Sequence, residues 1–431
     1  MSLVSSIVSG RVAIRNSKEA AIDLLLFLFF AGLFCRGAAE LFVSRGIALM
    51  LQFTLVMCVA ALTSMLNRGY QFTPRHRILL WLLAPFAMVS AASCFLTEQL
   101  GFDYGAFYLA FNLSLGVLAL AFARLTSGRL PVANLHQILL WWGWALFLVG
   151  LQDQLGGMRM PGYSFSGIMR PASLTGSYLH YPLVMALISL ICFEWAVQAR
   201  SLFYALSSCL FALSTVLVFS RSGVFIIGFA ILCAMVIQVL RGRRAGLYWA
   251  MALGTVVVLT VGLGMSGGNS IAARAAGRIV SAVDSGSAGN SGRIVAWWQG
   301  IDLWSNTNLL VGEHTGKVTN MTGKLVEGHA LTIVESGPIQ QLVNFGLLGL
   351  LTFYGFLISL YFMIRPEHVY LRSAYIAALV QTSFYQSIEA IPYITLLVLF
   401  PALSDAFDIK MRGHIKKRVT FSEASRYAPN I

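Results

Sequence analysis

Residues 202–240 read LFYALSSCLFALSTVLVFSRSGVFIIGFAILCAMVIQVL, and Arg221 is the only charged residue in the stretch. Two apolar runs, each long enough to cross a lipid core, meet at Phe219-Ser220-Arg221-Ser222-Gly223 with almost no loop between them. The stretch reads as a tight helical hairpin in a bilayer, with spans at 202–219 and 222–240.

The rest of the chain is built in the same way. Of its 431 residues, 58% are hydrophobic and only 11% charged, and the mean hydropathy is +0.75. The expected fold class is an all-α integral membrane protein of about twelve transmembrane helices. They fall at 20–35, 42–64, 78–96, 105–123, 137–152, 178–196, 202–219, 222–240, 246–265, 341–364, 373–388 and 391–407. The first run has no small-residue cleavage site after it, so it reads as a retained span and not a signal peptide. The six cysteines sit in or beside these runs without CxxC spacing, which argues against disulfides and zinc.

Charge gives the orientation. With the N-terminus inside, twenty of the thirty Lys and Arg fall on inner segments and ten on outer ones. The seventeen acidic residues divide seven inside and ten outside, so the inner side carries the whole formal net charge of +13. The basic balance is therefore the orientation signal of a membrane protein, and it excludes a nucleic-acid reading. Mid-span charges of the kind a transporter uses are few, chiefly Asp23 and Asp405.

One polytopic domain, 1–431, is expected, with a basic inner tail at 408–431. Two outer loops stand out, 153–177 and 266–340. The second lies between spans nine and ten and is long enough for structure of its own. Within it, 271–283 suggests a short helix carrying Arg274 and Arg278. Arg293 is expected to open an aromatic, amphipathic helix lying at the membrane surface, capped by Asn290 or Ser291. The polar, glycine-containing stretch 306–328 reads as a mobile loop over the outer face, and Gly337-Pro338 as an interruption of regular structure.

Outer-face arginines are the candidates for chemistry. Arg221 is flanked by serine hydroxyls and a glycine, a turn that admits a phosphate; the alternative is an arginine that reaches for the interface. Arg170 precedes Pro171, Ser173, Thr175 and Gly176 and offers forked donors to phosphate oxygens; the alternative is an ordinary loop charge. Arg159 shares that loop, and His180 opens the next span as a packing or capping residue. His329 and Glu335 are the candidate general bases toward a sugar hydroxyl. No metal-ligand set, Walker loop or dinucleotide-binding glycine pattern is present, so no cofactor is expected.

In sequence order, these pieces resemble the O-antigen polymerase and ligase superfamily (Wzy- and WaaL-like proteins). The resemblance rests on Arg170–Pro182, Ser220-Arg221-Ser222-Gly223, Ser291-Gly292-Arg293 through Trp298, Leu309-Leu310-Val311-Gly312, and Glu335-Ser336 through Gly346-Leu347-Leu348-Gly349. It implies a GT-C-type glycosyltransferase at the periplasmic face of the bacterial inner membrane, with both termini cytoplasmic. Its substrates would be an undecaprenyl-pyrophosphate-linked glycan donor and acceptor, with a chain-length regulator as a further partner. It implies catalytic roles for Arg170, Arg221, His329 and Glu335 and substrate-binding roles for Arg159, His180, Arg278 and Arg293. Arg278 and Gly289 match an Arg-to-Gly spacing described for polymerases. Ligase-like members carry His-Asn where this chain has His329-Ala330, and Glu335-Ser336 looks like polymerases. The resemblance therefore favours an O-antigen or exopolysaccharide polymerase. The alternatives are a ligase acting on lipid A core and, from a different class, a transporter of the lipid-linked unit.

Overall fold

The computed structural model describes residues 20–66, 74–96, 102–127, 134–165, 169–218, 220–242, 288–319 and 333–407. The expected span 246–265, the segment 271–283, Arg278 and His329 lie outside them. The described residues are helical apart from links and a two-residue antiparallel ladder, in which β1 (Ser164–Phe165) pairs with β2 (Met169–Arg170).

The helices in chain order are α1 (Ala20–Phe34), α2 (Arg45–Leu66), α3 (Pro74–Leu96), α4 (Phe102–Ser127), α5 (Leu135–Gln154), α6 (His180–Ala199), α7 (Leu202–Leu217), α8 (Arg221–Leu240), α9 (Ala288–Ser305), α10 (Gly337–Met363), α11 (Val369–Gln381) and α12 (Ile391–Phe407). Six of these, α2, α3, α5, α6, α8 and α10, are long and apolar enough to cross a membrane. Helices α1, α7 and α12 are apolar but shorter, as is the 108–122 stretch of α4. The architecture is that of a helical, membrane-embedded protein, because helices satisfy their own backbone hydrogen bonds without water.

Helix α6 is the hub. Fully 83% of its apolar window is buried, and α5, α7, α8 and α11 pack around it. Its C-terminal end carries Glu194, a carboxylate with almost no solvent contact. Glu194 accepts the backbone N–H groups of Tyr370 (2.8 Å) and Leu371 (3.1 Å) and meets His368 Nδ1 at 3.2 Å. The acid thus occupies the electropositive start of α11, where first-turn N–H groups lack helical partners. Asp23 and Asp405, expected as mid-span charges, are each matched near a helix end. Asn134 donates to Asp23 at 2.7 Å, and Arg365 pairs with Asp405 at 2.9 Å.

Three expectations are corrected. The span 373–388 is instead α11, which starts at Val369 and stops at Gln381. Thr382 caps it, its N–H still bonded to the Ala378 carbonyl at 3.3 Å while its own carbonyl accepts the Gly337 N–H of α10 at 2.7 Å. Gly337-Pro338 does not interrupt a helix but begins α10, with proline in the first turn where no N–H is needed. The stretch 306–319 is no loose loop. Thr315, Lys317, Val318 and Thr319 are buried, and Asn344 Oδ1 accepts the Gly316 N–H at 2.9 Å.

The break in α10 lies further on, at Gly346, whose φ of +66° is left-handed. There the 309–310 segment inserts. Leu347 N–H donates to the Leu309 carbonyl at 2.9 Å and Leu348 N–H to that of Leu310 at 3.0 Å. A side chain at Gly346 would collide with the Leu310 backbone as well as strain the turn. Gly346→Ala is expected to lose about 2 kcal/mol or more, the left-handed penalty plus the collision. Thermal melting of purified protein should show it, while Gly355→Ala, whose added methyl has room beside Leu82, melts like wild type.

Candidate functional site

The starts of α6, α8 and α10 converge on one cavity of about 280 Å³. Leu179 and Leu183 line it from α6, Ser220, Arg221 and Ser222 from α8, and Glu335 from the residues leading into α10. Arg170 comes from the 153–177 loop, Tyr178 from the residues just before α6, Arg293 from α9, and Tyr385 from the link after α11.

Each part is positioned by local chemistry. Ser220 caps α8, its Oγ accepting the Gly223 N–H at 3.1 Å. That cap leaves Arg221 as the first helical residue, at the cavity. Gly223 lets α8 approach closely, because a Cβ there would run into Thr215 and the Pro182 carbonyl. Helix N-termini carry partial positive charge and attract anions.

The 153–177 loop is held by a buried acid. Asp153, at the end of α5, accepts the N–H groups of Met160 (3.2 Å), Ala172 (2.8 Å) and Ser173 (3.3 Å). Ser173 Oγ donates to the Leu146 carbonyl at 2.7 Å. From the far side, Arg36 donates to the Gly176 carbonyl at 2.6 Å and pairs with Glu40 at 2.9 Å. The fastened loop sets Arg170 over the Tyr178 ring, 4.3 Å from its centroid, a cation–π contact that orients the guanidinium.

Arg293 is not the start of its helix. Helix α9 begins at Ala288, so Asn290 and Ser291 are helical residues and not caps. The Gly-Ser composition of 285–292 suggested a loop because the packing of α9 on α10 is non-local. One face of α9 delivers Arg293 and, four residues on, Trp297. Arg293 forms an ion pair with Glu335, and Trp297 Nε1 donates to the Glu335 backbone carbonyl at 3.1 Å. Val295 and Trp298, on the other side, stay exposed, in keeping with a helix at an interface. Tyr385 is buried beside Glu335, and burial together with the nearby carboxylate pushes its phenol up from the ordinary value. The phenol is thus a hydrogen-bond donor at neutral pH.

Of the eight residues singled out in the sequence, four line the cavity: Arg170, Arg221, Arg293 and Glu335. Arg159 is exposed, 5.9 Å from the Tyr163 ring centroid, and does not line it. His180 opens α6 outside the lining. Arg278 and His329 lie outside the described residues. The serines flanking Arg221, read in the sequence as part of a phosphate-admitting turn, line the cavity as well, whereas Tyr178 and Tyr385 were not anticipated as lining groups. Tyr178 had a signal in its place eight residues after Arg170, whereas Tyr385 sat in an expected span and had none. Among the described residues no three His, Cys, Asp or Glu come together as a metal cage.

The arrangement offers three guanidinium groups, helix N-termini, two phenols and one carboxylate. Guanidiniums and phenols are donors suited to an anion, and the carboxylate is the acceptor among them. The chain matches no family model and no curated protein.

Asp153→Ala is expected to destabilise the protein by about 2–3 kcal/mol, because it strips three N–H groups of their acceptor, and to weaken binding at Arg170. Asp153→Asn, which keeps an acceptor oxygen, should lose less. Thermal melts of the two variants, run beside wild type, give the order.

Proposed function

We propose that this chain is a membrane glycosyltransferase. It joins repeat units carried on undecaprenyl pyrophosphate into an O-antigen or exopolysaccharide, at the periplasmic face of the bacterial inner membrane. In this reading the chain is of the GT-C type, crosses the membrane about twelve times, and keeps both termini in the cytoplasm. One observation supports it above the others: Arg170, Arg221, Arg293 and Glu335 share a single cavity, although each lies more than forty residues from the next in the sequence.

The chemistry follows from those groups. The diphosphate of the donor lies among the guanidiniums, where forked donors match its oxygens. The sugar's anomeric carbon faces the acceptor hydroxyl. As the acceptor oxygen bonds to that carbon, the carbon–oxygen bond to the diphosphate breaks and the diphosphate leaves with the electron pair. Arg170 and Arg221 stabilise the charge where it develops, and Tyr385 donates a hydrogen bond. The hydroxyl proton passes to the Glu335 carboxylate. Attack opposite the leaving group inverts the anomeric configuration. The lipid diphosphate is already an activated leaving group, so no nucleotide takes part in the step.

Arg221→Ala should lower transfer by about 100-fold or more, the usual effect of removing one donor aimed at developing charge. The check is the surface or secreted glycan of a deletion strain complemented with wild type or variant at matched protein level. The proposal expects single repeat units to accumulate and long polymer to disappear with the variant. Full-length polymer retained on its lipid carrier would assign the chain to the ligases instead. Normal polymer with Arg221→Ala would remove Arg221 from the site.

A further inference from the structure

The proton acceptor proposed above is already engaged. Glu335 is ion-paired with Arg293, and a carboxylate that neutralises a guanidinium is a poor base for a sugar hydroxyl. The same arginine lines the cavity that would receive the diphosphate. One cation therefore has two anionic partners to serve.

We infer that Arg293 exchanges partners: it holds Glu335 until a lipid diphosphate binds, then turns to the diphosphate and releases Glu335 as the base. Building on the glycosyl-transfer reading, this inference adds how donor binding switches on the acceptor side of the site. Proton abstraction is thereby confined to complexes in which a leaving group is present.

Three features carry the exchange. The ion pair is weakly held, with the two side chains 32% and 35% exposed, and exposed pairs are readily outcompeted. A diphosphate offers several charged oxygens to the guanidinium fork, and charge-assisted, multidentate contacts are the stronger ones. The backbone on both sides is fixed. Trp297 holds the Glu335 carbonyl at 3.1 Å, and the Gly337 N–H is tied to Thr382 at 2.7 Å. Only side chains need move, and Arg293 stays within reach because α9 carries both Arg293 and Trp297.

The charges agree with this. Among the described lining residues three arginines stand beside one glutamate, so a diphosphate brings its negative charge to a cluster rich in guanidinium. Once Arg293 has turned to the diphosphate, Glu335 no longer has its dedicated counter-ion.

The test is a double-mutant cycle on binding. Full-length protein in lipid nanodiscs is titrated with farnesyl diphosphate and, in a separate arm, with inorganic diphosphate, which distinguishes a lipid-borne headgroup from the free anion. If Glu335 competes for Arg293, Glu335→Gln should tighten binding by about tenfold. In an Arg293→Ala background the gain should fall below about twofold. Equal tightening in both backgrounds would mean that Glu335 acts only through general repulsion, which overturns the exchange and leaves the anion site standing. No binding of either probe to wild type, with Arg170→Ala and Arg221→Ala equally inert, would overturn the site reading itself.

Arg293→Lys serves as a second background should the alanine variant fold poorly. Infrared difference spectra of wild type provide a readout independent of Arg293 variants. Farnesyl diphosphate should shift a carboxylate band that is missing in Glu335→Gln. A spectrum without that shift, at saturating ligand, would refute the exchange.

Discussion

Like charges gathered in a small space must be matched or solvated, and the cavity end of this molecule is arranged around that constraint. Two unit charges about 8 Å apart repel by roughly 2 kcal/mol at an effective dielectric of 20. Three arginines and the start of α8 bring positive potential to one cavity of about 280 Å³. Glu335 supplies the single acidic group among its lining residues. The fold holds this arrangement against its own repulsion by anchoring each contributor separately. Asp153 fixes the loop that bears Arg170, Ser220 caps the helix that starts with Arg221, and Trp297 and Thr382 pin the backbone around Glu335.

The anchoring groups are themselves buried and polar, so each depends on being fully matched. Asp153 has three backbone donors. Glu194 plays the corresponding part at the opposite end of α6, with two backbone N–H groups and His368. A carboxylate at each end of the bundle thus organises irregular backbone into a fixed shape, while the apolar body of α6 between them packs on every side. Helix association here rests on such polar knots as well as on apolar packing, since lipid offers helices no hydrophobic incentive to associate.

The sequence disclosed the parts whose placement is costly. A lone arginine between two apolar runs is conspicuous, so the α7–α8 hairpin and Arg221 were legible, as were Arg170 and Glu335. The pieces that depend on distant partners were misread. Residues 306–319 have the polarity of a free loop, and nothing local in Leu309-Leu310 says that their carbonyls replace a missing turn of α10. Arg293 was expected at a helix start because glycine and serine precede it, whereas packing on α10 extends α9 back to Ala288. Tyr385 was hidden in an apolar stretch expected to be helical to residue 388. That helix ends at Gln381, the Thr382 carbonyl is given to the Gly337 N–H, and the tyrosine follows at the cavity.

The break at Gly346 bears on how the molecule is assembled in the membrane. Leu309 and Leu310 leave the ribosome before α10 and supply acceptors for the N–H groups of Leu347 and Leu348. Until the two meet, α10 carries a gap in its hydrogen-bond ladder that lipid cannot fill. Contact with the 309–310 segment closes the gap, so α10 is completed by a tertiary contact and not by its own ladder.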